Sequence, residues 1–160
     1  MARQFTLAEI IPPVSLLAPA ADSGGRTSSY VNIGKGDKAF IVYHINQGNA
    51  ATIALTPQQA QDVSGSGAKA IGAAPIWYDE DEVSSDLLTK AANAASYTTG
   101  AGTKVKIVIF EISPQDCLDV ADGFYAVAAQ TGASNAANIT SAAIYVLHSY
   151  QQAQPPSILS

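Results

Sequence analysis

Ala39-Phe40-Ile41-Val42-Tyr43-His44-Ile45-Asn46, a polar turn at Gln47-Gly48-Asn49, and a second short run, Thr52-Ile53-Ala54-Leu55-Thr56, decide how this chain is read. In the first run both alternating faces carry bulky residues. Phe40 and Val42 lie on one face and Ile41, Tyr43 and Ile45 on the other, which predicts a central strand covered on both sides. This strand seeds the core.

Working outward, residues 103–111 alternate most clearly: Val105, Ile107 and Ile109 point one way, and Lys104, Lys106, Val108 and Phe110 the other. Residues 124–130 and 139–150 read as two further strands. Upstream, residues 28–33 form a short strand closed by Gly34-Lys35-Gly36-Asp37, whose glycines suit the positive φ angles of a tight hairpin. Residues 39–46 are then its expected antiparallel partner. Residues 73–78 hold the single tryptophan, Trp77, in another short strand, and the small, polar stretch 91–102 reads as a mobile loop. No long 3.6-residue pattern occurs. About seven or eight short strands separated by turns predict an all-β, two-sheet β-sandwich, jelly-roll-like, with extended N- and C-terminal arms. The expected division is an arm over residues 1–25, a sandwich over 26–150 and a tail over 151–160.

The 160 residues suffice for one core without disulfide or metal staples. Lys and Arg total 8 against 13 Asp and Glu, so no basic face is available to neutralise phosphates, and a nucleic-acid partner is not expected. Charged residues are only 13% of the chain, against about 25% in ordinary soluble domains, a composition suited to a surface that other protein covers. No apolar run approaches the ~18 residues of a membrane span. The early Glu9 and Pro12-Pro13 break any signal-peptide core, so neither membrane nor secretion is expected.

Candidate chemistry is sparse. His44 and His148 are the only histidines, both in apolar strands, and with the lone Cys117 they are too few for a zinc site. Cys117 beside Asp116 and Asp119 lacks the local motif of a thiol hydrolase. Asp79-Glu80-Asp81-Glu82 lacks the alternation and glycine of a calcium loop and reads as a solvated loop or an acidic first helical turn. Gly34 and Gly36 lead into a strand, not into the helix that a phosphate loop requires. No catalytic residue, metal or cofactor is therefore assigned, and the chain is read as not an enzyme.

Four stretches carry a resemblance. They are Thr52-Ile53-Ala54-Leu55-Thr56 with Gln58-Gln59-Ala60, Asp62 and the turn Gly65-Ser66-Gly67-Ala68-Lys69-Ala70; Lys106-Ile107-Val108-Ile109-Phe110-Glu111-Ile112-Ser113; Leu118-Asp119-Val120-Ala121-Asp122-Gly123-Phe124; and Ser134-Asn135-Ala136-Ala137-Asn138-Ile139. Over about two thirds of the chain they resemble small proteins encoded beside the major capsid protein in tailed bacteriophages. The likeness lies in turns and core anchors, not in a catalytic signature. It implies a capsid decoration, or cement, protein: made in the bacterial host cytoplasm, bound to the capsid exterior of the virion as a dimer or trimer, and clamping neighbouring major capsid protein subunits.

The apolar, Pro-interrupted termini fit that role, because extended segments give a large contact area and order on binding. The expected capsid or oligomer contacts are Phe5, Leu7, Ile10, Ile11, Val14, Leu16, Leu17, Ile158 and Leu159. The alternative is that both termini pack on their own sandwich. Two other functions compete: a carbohydrate-binding sandwich on the virion using Trp77, Tyr78 and Tyr97, and a head-tail connector or tail protein.

Overall fold

The alternation of residues 39–46 is realised as one strand of ten residues. A computed structural model describes residues 7–148 together with 158 and 159, and within these the chain is all-β and sandwich-like. A short helix, α1 (Leu7–Ile10), precedes β1 (Pro13–Ala21), β2 (Arg26–Thr27), β3 (Val31–Asn32) and β4 (Lys38–Gln47). Then come β5 (Ala54–Leu55), β6 (Gln58–Ala60), β7 (Lys69–Ala70), β8 (Ile76–Asp79), β9 (Thr89–Lys90), β10 (Tyr97–Thr98) and β11 (Val105–Ile112). A one-turn helix, α2 (Pro114–Cys117), leads through a 3-10 turn to β12 (Ala126–Ala128), β13 (Gln130–Thr131) and β14 (Asn138–Leu147).

The first layer is a six-stranded antiparallel sheet in the order β1-β14-β4-β11-β8-β9. Its register places Ile41 between Ile144 and Phe110, and Tyr43 between Ala142 and Val108, so the inward residues of three long strands meet in rows. Ile41, Tyr43, Ile45, Phe110, Ile112, Ile144 and Val146 are all excluded from solvent. The Tyr43 and Phe110 rings meet edge to face, 5.9 Å between centroids.

The second layer comprises two four-stranded sheets, β10-β5-β13-β2 and β3-β12-β6-β7. The same three stretches of chain supply three of the four strands of each: residues 26–32, 54–60 and 126–131 run side by side and each breaks once. The breaks have local causes. Pro57 has no N–H to give to a ladder, and the Ala129 N–H turns aside to the Ser28 hydroxyl at 3.0 Å. Tyr43 fills the bend from the opposite layer: its hydroxyl accepts from the Gln130 N–H at 3.1 Å and donates to the Gln130 carbonyl at 3.3 Å. Burial, aided by the Asp22 charge and opposed by the Gln130 hydrogen bond, pushes that hydroxyl's pKa far above its ordinary value, so it stays a neutral donor. Tyr43→Phe should therefore take the acceptor from the Gln130 N–H, while the Gln130 carbonyl keeps the Thr56 N–H at 3.0 Å, and lower the unfolding free energy by about 1–3 kcal/mol, as read by chemical denaturation; an unchanged midpoint would remove Tyr43 from this role.

Three expectations change. β3 does not form a hairpin with β4. It joins β12 in the second layer, and β4 pairs with β14 and β11, which lie much later in the chain. Gly34 and Gly36 do not take positive φ, the positive-φ glycines being Gly25, Gly65, Gly67 and Gly123. They are small for space: a Cβ on Gly36 would run into the Val146 side chain, and one on Gly34 would press on Tyr125. Finally, residues 97–100 are tied down. The buried Gln47 side chain donates to the Gly100 carbonyl at 2.9 Å and accepts from the Thr99 hydroxyl at 2.9 Å.

Among the described residues no sheet closes into a barrel. The core is a single cluster between the layers, and Ile158 from the far end of the chain joins it.

Candidate interaction surface

The six-stranded sheet has a second face, turned away from the core. Register fixes its contents. The middle row crosses the sheet as Ser15, Ala143, Val42, Ile109, Trp77 and Lys90. Beside it lies a row of Pro13, Tyr145, Phe40 and Glu111, and on the other side a row of Ser141, His44, Ile107 and Asp79. Phe40, Val42, Ile107, Ile109, Trp77 and Tyr145 are each only partly buried. The covering predicted for both faces of β4 is thus present on one and incomplete on the other. A sheet face this apolar is ordinarily covered by another layer.

Charge on this face lies toward its margins, where two of the acids have a basic neighbour. Lys38 meets Glu111 at 3.2 Å, and His44 meets Glu82 at 2.9 Å. Lys90 lies over the Trp77 ring, 5.7 Å from its centroid.

The four acids at 79–82 diverge to separate partners. Asp79, mostly buried, accepts from the Asp81 N–H at 2.8 Å. Glu80 accepts from the Tyr97 hydroxyl at 2.7 Å and from the Gly100 N–H, and it pairs with Lys106 at 2.5 Å. Burial alone would raise the Glu80 carboxyl; the Lys106, Tyr97 and Gly100 donors outweigh it and hold the group below its ordinary range. Asp81 pairs with Lys104, whose donated hydrogen bond keeps that carboxyl low as well. Among the described residues no three His, Cys, Asp or Glu converge as metal ligands. The loop that continues from these acids leaves Val83, Leu87 and Leu88 exposed, Val83 at 80%.

The aromatic trio does not assemble into one platform. Trp77 and Tyr78 are successive strand residues and face opposite ways. Tyr78 packs on Tyr97 at 5.1 Å between centroids, and the Tyr97 hydroxyl is taken by Glu80.

A cleft of about 270 Å³ lies between Lys38, Pro75, Asn93, Glu111, Asp116 and Cys117. Cys117 is buried, and burial pushes its thiol up, away from the thiolate a nucleophile needs.

The residues expected to make contacts are dispersed. Leu17 and Ile158 belong to the core, Val14 and Leu16 pack against it, Ile10 is buried and Ile11 half-buried. Leu7 and Leu159 are exposed, at 51% and 61%. Phe5 lies outside the described residues. Ile10, His148 and Ile158 come together around residues 32–35. The His148 N–H donates to the Ile10 carbonyl at 3.4 Å, His148 Nδ1 lies 3.4 Å from the Lys35 carbonyl, and the Asn32 N–H donates to the Ile158 carbonyl at 2.7 Å. The outer sheet face was not singled out from the sequence, although its signal, apolar residues on both faces of β4 and β11, was visible there.

No family model matches the sequence, and no curated protein matches it. Among solved structures the chain is distantly similar to the crystal structure of the SPBc2 prophage-derived protein YomS. The identity is 9% and the TM-score 0.46, over 84% of this chain and 90% of that one, and a likeness at that level carries no argument about function. Among the described residues no helix is long and apolar enough to cross a membrane.

Proposed function

We propose that the protein is a structural subunit of a phage virion: a jelly-roll-like sandwich bound to the capsid exterior, where it cements neighbouring major capsid protein subunits. The observation that carries this reading is that Ile10, bonded to His148 beside Lys35, and Ile158, bonded to Asn32, are buried, while Leu7 and Leu159 near them in sequence are 51% and 61% exposed. Anchored ends with exposed apolar tips form a foot. Completing the burial of one such half-exposed leucine gains about 1–1.5 kcal/mol, and repetition over a symmetric shell turns a modest contact into firm attachment. The charge-poor composition and the resemblance of the turn and strand motifs to capsid-associated phage proteins point the same way.

The test is co-sedimentation with purified heads. Truncation has to stop before β1, because Leu17 belongs to the core. A chain lacking residues 1–9 and carrying Leu159→Asp should keep its β circular dichroism and lose at least ten-fold in head binding. Binding equal to that of the full chain would defeat the proposal.

A further inference from the structure

We propose that the outer face of the six-stranded sheet is a self-association surface, and that its occupant is a second copy of this chain. The partly exposed row Ala143, Val42, Ile109 and Trp77 crosses the middle of the sheet, with Phe40 and Ile107 on either side of it. Antiparallel strands pack ~4.8 Å apart and rise ~3.4 Å per residue, so four strands of eight to ten residues with the shorter β8 and β9 present on the order of 700 Å². Exposed Val83, Leu87 and Leu88 enlarge this, because the Glu82–His44 contact holds their loop beside the same face. The sum approaches the roughly 800 Å² per partner of a stable interface.

Charge argues for a copy over a different partner. Each end of the face carries an acid with its own basic neighbour, Glu111 with Lys38 and Glu82 with His44. Lys90 and the mostly buried Asp79 add one charge of each sign to the same face, so neither sign forms a patch with which to select a charged partner, and a two-fold axis superposes one mixed end on another without like-charge conflict. Apolar centre and paired rim are the anatomy of an isologous contact.

The proposal does not rest on capsid attachment, since its test uses purified full-length protein alone. Trp77 is the single tryptophan and sits on the face, so its fluorescence reports cover directly. Sedimentation velocity at micromolar concentration should show a dimer or larger species, with Trp77 protected from acrylamide. Val42→Lys and Ile109→Lys, both on the outer face, should each give a monomer whose Trp77 is quenched several-fold more readily, with β circular dichroism retained. A wild-type chain that sediments as a monomer overturns the proposal, and so do folded variants that keep the wild-type mass. Should either variant fail to fold, the wild-type quenching decides: assembled protein with a freely quenched Trp77 also overturns it.

Discussion

Arg26→Met is expected to lower the unfolding free energy by about 3–5 kcal/mol, the largest loss from any single substitution considered. Arg26 Nε pairs with Asp22 Oδ1 at 2.9 Å, and the Asp22 side chain is fully buried. Two further nitrogens of the same guanidinium donate to the carbonyls of Ala18 at 2.8 Å, Ala20 at 3.0 Å and Thr140 at 2.5 Å. The Thr131 hydroxyl donates to the same carboxylate oxygen at 2.7 Å. One side chain thus joins β1 and β14, as the fork geometry of arginine allows, and Asp22 carries the link on to Thr131 of β13. Methionine keeps the apolar stem and removes every donor, leaving a carboxylate out of water without its cation. Chemical denaturation should show the midpoint falling, and hydrogen exchange should show β1 opening ahead of the rest. A loss below about 1 kcal/mol, the range of an exposed pair, would mean that water reaches Asp22 and that the clamp is peripheral.

Glu80→Gln should cost about 2–4 kcal/mol, somewhat less than a fully enclosed pair, because the Glu80 side chain is 30% exposed while that of Lys106 is 1% exposed. The substitution removes the charge opposite the buried Lys106 ammonium, which keeps the Gly100 carbonyl, 2.6 Å away, as an acceptor. Local exchange should rise in residues 79–82 and 97–104, which this carboxylate ties together. The pH dependence follows from its depressed titration. The native group ionises below its ordinary value of 4.5, so its contribution is complete above that value and is lost as pH falls through the lower native one. Wild type should therefore lose stability on acidification through that window, and Glu80→Gln should lose less. Parallel pH profiles for the two proteins would refute the assignment.

The long strands were legible because their signal is local. β4, β11 and β14 carry enough alternating β-branched and aromatic residues for a period of two to emerge from the sequence alone. The second layer was not. β2, β3, β5, β6, β12 and β13 are two or three residues long, and what sets them is a bend written jointly by Ser28, Pro57, Ala129 and Tyr43, residues scattered over a hundred positions. The same distance hid the design of the acidic run. Its bases and donors, His44, Tyr97, Lys104 and Lys106, come from other strands and loops, so four adjacent carboxylates read as a solvated charge block when each has an individual partner. Gly34 and Gly36 misled for another reason: a glycine placed to clear Val146 looks in sequence like one placed for a turn. Of the interaction surface, the terminal leucines were visible as apolar residues beside prolines. The outer sheet face was read as covered, because a one-dimensional pattern shows that a face is greasy but not whether a second layer lies on it.

The rims of the six-stranded sheet have a consequence of their own. At one rim β1 carries Pro13 and Pro19, and its register against β14 slips twice, between Ser15 and Leu17 and again between Leu17 and Ala20. At the other, β9 is two residues long. An incoming strand finds no unbroken row of amides to zip onto at either side. Lateral growth into a fibril is thereby discouraged, and a molecule with so much grease on its flat side can stay a discrete particle at high copy number.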